Sequence, residues 1–184
     1  MEKAAVFIDG GFFGKVIEDF GSPRVNYELF SDNVCVDTRR HRSYYYDCLP
    51  YRSEPPTAEE QERYSKKQSF LDKLQLLPRF EVRLGRIARR WNGGGFQQKG
   101  VDVLFAVDVV HMCLSKRIER AILVTGDSDF VPAVIAAKDT DAIIELYYYK
   151  SPTGKGPSTH DELIKAVDER SPITRDLINK SLLK

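Results

Sequence analysis

The segment Ala121-Ile-Leu-Val-Thr-Gly-Asp-Ser-Asp-Phe-Val-Pro132 constrains the fold of this chain more than any other stretch. Ala121 to Val124 is a short apolar run and reads as a buried strand. Thr125 and Gly126 break the run, and Asp127, Ser128 and Asp129 stand where the next helix must begin. The carboxyl end of a buried strand is where α/β proteins place their chemistry. A helix cap needs only one side-chain oxygen to satisfy the first free backbone N–H groups. The second aspartate is therefore surplus to capping and is a candidate for holding a metal ion.

Ala4 to Ile8 repeats the pattern, ending in Asp9-Gly10-Gly11 before helical spacing at Phe12, Phe13, Val16, Ile17 and Phe20. Asp9 reads either as a turn residue or as a second strand-end carboxylate, which a parallel sheet would bring to the same edge as Asp127. That helix should stop at Gly21-Ser22-Pro23. Asn26 to Val36 predicts a short helix, and Asp37 to Ser43 a charged loop. Tyr44 to Leu49 predicts an aromatic strand whose tyrosines either pack half-buried or stack on bases. Thr57-Ala-Glu-Glu60 reads as a capping box opening a helix to about Leu77, with Phe70, Leu71, Leu74 and Leu77 on its core side. Phe80, Val82 and Leu84 then alternate as a strand. Gly100 opens a helix to Leu114, with Asp102 in its first turn. After the central strand come a helix through Val131 and Ala137, a strand from Ala142 to Tyr149, a loop from Ser151 to Thr159, and two closing helices.

Between Arg79 and Lys99 the chain carries Arg79, Arg83, Arg86, Arg89, Arg90 and Lys99 against Glu81 alone, with Trp91 and Phe96 flanking three glycines. This reads either as a solvated loop or as a basic, aromatic flap that grips a phosphate backbone and stacks on unpaired bases. The net charge is only +1, so any nucleic-acid surface must be local. Cys35, Cys48 and Cys113 are widely spaced with no CxxC pair, which argues against a disulfide framework and a zinc site. No apolar run approaches the length of a membrane span, and the expectation is a cytoplasmic chain with no membrane partner.

Strands alternating with helices predict an α/β fold with a mostly parallel sheet covered on both faces, one domain over 1–184 in which 150–184 forms a loop and helical tail. Asp9 and Asp127 then lie on the carboxyl edge of the sheet, and Asp102 and Asp129 on helix starts at that edge. Four converging carboxylates repel unless a cation neutralises them or some stay protonated. Hard oxygen ligands suit Mg²⁺ or Mn²⁺. Asp108 lies six residues beyond Asp102, about 240° around a helix and about 9 Å along it. It cannot closely share an ion with Asp102 and is expected to bond backbone or a hydroxyl beneath the site. Thr125 and Ser128 read as hydroxyls that orient the carboxylates, with no base to turn either into a nucleophile.

Val6-Phe-Ile-Asp-Gly10, Lys99-Gly-Val-Asp-Val103 leading to Ala106-Val-Asp108, and Thr125-Gly-Asp-Ser-Asp-Phe130 with Pro132 resemble the ordered motifs of the NYN domain family. That family belongs to the PIN-like ribonucleases, and the LabA-like branch is the most similar. The Tyr45-Tyr46-Asp47 strand and the Ser158, Leu163, Asp168 tail resemble that branch more weakly. The resemblance implies a three-layer αβα sandwich and a metal-dependent ribonuclease site built from Asp9, Asp102, Asp127 and Asp129, with Asp108 also at a family position. PIN-like domains often pair, so a homodimer is an open expectation. One position departs from the pattern: many family members carry an asparagine where this chain has Phe12.

Two functions follow as expectations. In the first, the chain is a Mg²⁺- or Mn²⁺-dependent endoribonuclease whose Asp9, Asp102, Asp127 and Asp129 hold the metal while Arg89, Arg90, Trp91 and Lys99 hold RNA. In the second, it is a cleavage-silent RNA-binding module that kept the acidic pocket. A haloacid-dehalogenase-like phosphatase would need a second aspartate two residues after the first, and Gly11 stands there.

Overall fold

The structure, a computed structural model, describes residues 1–89 and 96–183, with the side chains of 88, 89 and 96–98 outside that description. Six strands form one sheet: β1 Lys3–Asp9, β2 Arg39–Asp47, β3 Phe80–Leu84, β6 Arg120–Val124, β7 Ile143–Tyr148 and β8 Glu169–Pro172, in the order β3-β2-β1-β6-β7-β8. All of its pairings are parallel. Helices α1 Gly10–Asp19, α2 Tyr27–Val34, α3 Ala58–Gln75, α4 Val101–Leu114, α5 Val131–Lys138, α6 Asp161–Ala166 and α7 Arg175–Lys180 cover both faces. This is the α/β sandwich with a parallel central sheet that the alternating pattern predicts.

Side chains of one strand point alternately to the two faces, and β1 shows the consequence. Ala4, Val6 and Ile8 pack with Phe13, Phe30, Tyr45, Leu71, Leu74 and Ile178 under α1, α2, α3 and α7. Ala5 and Phe7 pack with Tyr44, Tyr46, Phe105, Val134 and Leu163 under α4, α5 and α6. A strand buried on both faces must be apolar along its length, which is why β1 and β6 read as continuous runs. Tyr44, Tyr45 and Tyr46 are 5%, 2% and 0% exposed, so they belong to these cores and no base can reach them.

Three local expectations need correction. Arg39 to Ser43, read as loop, is the first half of β2 and pairs with the start of β1. Its charge is accommodated inside, because buried Arg40 reaches Asp32 at 2.6 Å and Glu28 at 3.4 Å on α2. The arginine-rich stretch read as a solvated loop or a flap contains β4 Arg86–Arg89 and β5 Phe96–Lys99, which pair as an antiparallel ribbon. The closing segment holds a strand, β8, between its helices; Glu-Arg-Ser-Pro has no apolar alternation, yet proline is tolerated on a sheet edge, where β8 lies. The capping box forms as read, with Glu60 N–H donating to Thr57 Oγ1 and Thr57 N–H to Glu60. Among the described residues, no helix is long and apolar enough to cross a membrane.

Candidate active site

In this strand order the chain runs outward from β1 to β2 and β3 on one side, and from β6 to β7 and β8 on the other. The crevice beyond the carboxyl ends of β1 and β6 is therefore the topological switch point, where open parallel sheets bind ligands. Asp9 ends β1, and Thr125 to Asp127 follow β6 directly.

Asp9 is fixed from both sides. One carboxylate oxygen accepts the Phe12 backbone N–H at 3.0 Å and so caps α1; the other accepts the hydroxyl of fully buried Thr125 at 3.0 Å. Asp127 caps the 3-10 turn Ser128–Phe130 by accepting the Asp129 backbone N–H at 2.9 Å. The Asp129 side chain is left exposed on that turn, its carboxylate in no hydrogen bond or ion pair among the described residues. Asp102 is exposed in the first turn of α4, where the helix dipole favours a negative charge.

These carboxylates feel one another. Burial pushes the Asp9 carboxyl above the ordinary aspartate value against the pull of its hydrogen bonds, and the charge on Asp102 adds to that push. Asp102 is raised by partial burial and then by the charges of Asp127 and Asp129. Among the described residues, no lysine or arginine forms an ion pair with any of the four. The contrast with β2 is direct. That strand also ends in an aspartate, Asp47, but Lys67 of α3 pairs with it and the Cys48 N–H donates to it at 2.7 Å. At the switch point, among the described residues, no lysine or arginine pairs with Asp9 or Asp127 in this way.

Carboxylate oxygens are hard donors, the chemistry that a divalent cation such as Mg²⁺ takes. Among the described residues, no three acidic, histidine or cysteine side chains stand close enough to hold one ion together.

The remaining residues read from the sequence are dispersed. Asp108 lies elsewhere: it accepts the Tyr46 hydroxyl at 3.0 Å and stands 3.4 Å from the Arg83 guanidinium. Thr125 orients Asp9, whereas the Ser128 hydroxyl makes no hydrogen bond among the described residues. Lys99 is exposed at the end of β5, two residues before α4. Arg90 and Trp91 lie outside the described residues, as does the side chain of Arg89.

A cleft of about 350 Å³ opens beside Asp9 and Asp127, and its walls add Phe12, Lys15, Pro157, Ser158 and His160. None of these was singled out from sequence as a site residue. Phe12 and Lys15 come from α1, whereas Pro157, Ser158 and His160 arrive through the 151–159 loop, which folds back so that Thr159 N–H donates to Tyr149 O at 2.8 Å. His160 N–H then donates to Gly126 O at 2.9 Å and pins the loop against the turn that carries Asp127. For the loop residues the sequence signal is the tail motif beginning at Ser158, and for Phe12 its place where the family pattern has asparagine.

The pKa directions carry a prediction. A carboxyl whose folded value is raised binds its proton more tightly folded than unfolded, so stability falls as pH climbs from the ordinary value of 3.8 through the raised one. Above that window the charged group costs stability. Asp102→Asn should therefore be slightly more stable than the wild type near neutral pH, by less than about 1 kcal/mol because Asp102 is exposed. The gain should fade below the ordinary aspartate pKa of 3.8. Urea unfolding at both pH values checks it, and an equal gain at both would refute the repulsion.

The sequence model of the NYN domain family matches residues 3–174. No curated protein matches the chain. Among solved structures, a protein of unknown function from Vibrio parahaemolyticus has the same fold, with a TM-score of 0.68 and 20% identity, covering 99% of this chain and 96% of that one.

Proposed function

Because the chain belongs to the NYN domain family over residues 3–174, we propose that it is a metal-dependent endoribonuclease of the LabA-like branch, acting from the switch-point cleft. The observation that carries this reading is the set of Asp9, Asp102, Asp127 and Asp129 at one sheet edge, where burial and neighbouring carboxylate charge raise Asp9 and Asp102, without an ion-pair partner among the described residues. Such a set is costly to maintain unless something positive binds there. A bound Mg²⁺ or Mn²⁺ would supply Lewis-acid charge at a phosphodiester and lower the pKa of a water beside it.

The protein's own part is positioning. Asp9 and Asp127 are each held by a hydrogen bond from a helix or turn start, so their carboxylates are oriented before any ligand arrives. Thr125 keeps the second oxygen of Asp9 aligned. Lys15, exposed at the cleft, meets phosphate charge, and Arg89, Arg90, Trp91 and Lys99 are proposed to hold the RNA strand further out. We assign the whole chain, 1–184, to one such domain, working in the cytoplasm and open to pairing with a second copy.

Phe12 favours a second reading, an RNA-binding module that does not cut, because an apolar ring stands where the family pattern has an amide. One experiment separates the two: labelled RNA and DNA incubated with the protein in Mn²⁺, in Mg²⁺ and in EDTA. The nuclease reading expects RNA to be cleaved in metal and left intact in EDTA. Salt-sensitive binding with no cleavage under any condition would leave the silent module in its place.

A further inference from the structure

We infer that Phe12 is a base-stacking platform, and that the cleft seats one unpaired nucleotide with its base on this ring and its phosphates toward Asp9, Asp127 and Lys15; the inference rests on the nucleic-acid reading above. Phe12 and Phe13 are adjacent on α1, yet only Phe13 is fully buried. Phe12 is half-buried, and the cleft it lines holds the polar side chains of Asp9, Lys15, Asp127, Ser158 and His160. The ring packs on the edge of the core under α1, yet it also keeps part of its surface open to that polar cleft. A flat apolar surface among phosphate-directed groups is what a nucleotide needs, since every base has a π-face.

The ring's place is built into the fold. Phe12 is the residue whose backbone N–H Asp9 accepts, so the ring and the carboxylate share one anchor at the start of α1. The ring lies on Gly126, where a Cβ would stand 2.4 Å from Phe12 Cε2 and 2.7 Å from Cδ2. Absence of a side chain at Gly126 therefore lets the ring settle between the two strand ends that carry Asp9 and Asp127. Lys15 follows three residues later on α1, on the same side of the helix, and lines the same cleft. At about 350 Å³ the cleft falls in the range of small-ligand sites, room for one nucleotide unit, and stacking on Phe12 requires that nucleotide's base to be unpaired. The substrate class is therefore single-stranded RNA or an unpaired loop, with the stacked nucleotide beside the reacting phosphodiester.

The test uses the full chain carrying Asp127→Asn, so that RNA survives the measurement. A single-stranded oligoribonucleotide is scanned with 2-aminopurine, whose fluorescence is quenched on stacking, and then with an abasic residue at the quenched position. The expected result is quenching at one position and an abasic penalty of about 5- to 100-fold in affinity. Adding Phe12→Leu, which keeps apolar bulk over Gly126 but has no π-face, should erase both the quenching and the abasic penalty. Phe12→Tyr should keep them. If the leucine variant, folded by circular dichroism, discriminates base from abasic residue as well as the Phe12 protein does, stacking on this ring is overturned while the nucleic-acid reading stands. If the Phe12 protein binds neither RNA nor DNA, the underlying reading falls and takes this one with it.

Discussion

Asp127→Asn should lose metal-dependent RNA cleavage by at least about 10²-fold while the protein stays folded. The two halves of that expectation come from different atoms. The oxygen of Asp127 that accepts the Asp129 N–H at 2.9 Å has a counterpart in asparagine, so the 3-10 turn keeps its cap. What is lost is the negative charge, and with it the attraction for a cation at the switch point. Asp102, which the Asp127 charge repels, is relieved, so unfolding near neutral pH should occur at the same temperature or slightly higher. A thermal scan with excess Mn²⁺ adds a readout that does not depend on turnover. A ligand at about 100 times its Kd stabilises a folded protein by about 2.7 kcal/mol, and that increment should shrink in the variant. Unchanged cleavage in Asp127→Asn would sink the proposed site outright.

The parts of this site that were legible in the sequence are those set by chain-local rules. Asp9 and Asp127 follow apolar runs of strand length that read as buried strands, and parallel strands bring their carboxyl ends to one edge. Asp102 was legible as a helix-start acid because Gly100 precedes it. Asp108 was separable from it by helix geometry alone, and its hydroxyl partner proves to be Tyr46 of β2. What stayed hidden depends on long-range closure. Lys67 neutralises Asp47 from a helix 20 residues on, and no local pattern distinguishes that aspartate from Asp9. His160 and Pro157 reach the cleft only because the loop after β7 folds back on Gly126. The charged half of β2 was misread for a related reason: arginine signals solvent in a periodicity argument, and only the acids on α2 make a buried Arg40 acceptable. Each miss is a tertiary partner overriding a local propensity.

The contact between α1 and β2 yields the largest expected loss of stability, from Gly10→Ala. A Cβ at Gly10 would stand 2.6 Å from Tyr45 Cζ, 2.7 Å from its hydroxyl and 2.8 Å from Asp47 Oδ2. None of these can retreat cheaply. The Tyr45 ring is 2% exposed and wedged against Tyr27 and Phe70, with ring centroids at 5.6 Å and 5.8 Å. Asp47 is tethered by Lys67 and by the Cys48 N–H. Overpacking a rigid core costs about 1–3 kcal/mol, and displacing a buried carboxylate from its lysine adds to that, so a total near 3 kcal/mol or more is expected. Gly14→Ala, four residues along the same helix, is the control, because nothing lies within 4 Å of its Cβ position. There alanine should stabilise by about 0.5–1 kcal/mol through helix propensity. Urea unfolding of the two variants should therefore move in opposite directions. A Gly10→Ala protein as stable as the wild type would mean that Tyr45 and Asp47 yield after all. If it is destabilised as expected, cleavage should fall with it, since Gly10 directly follows Asp9, and any shift of α1 draws that carboxylate away from Thr125.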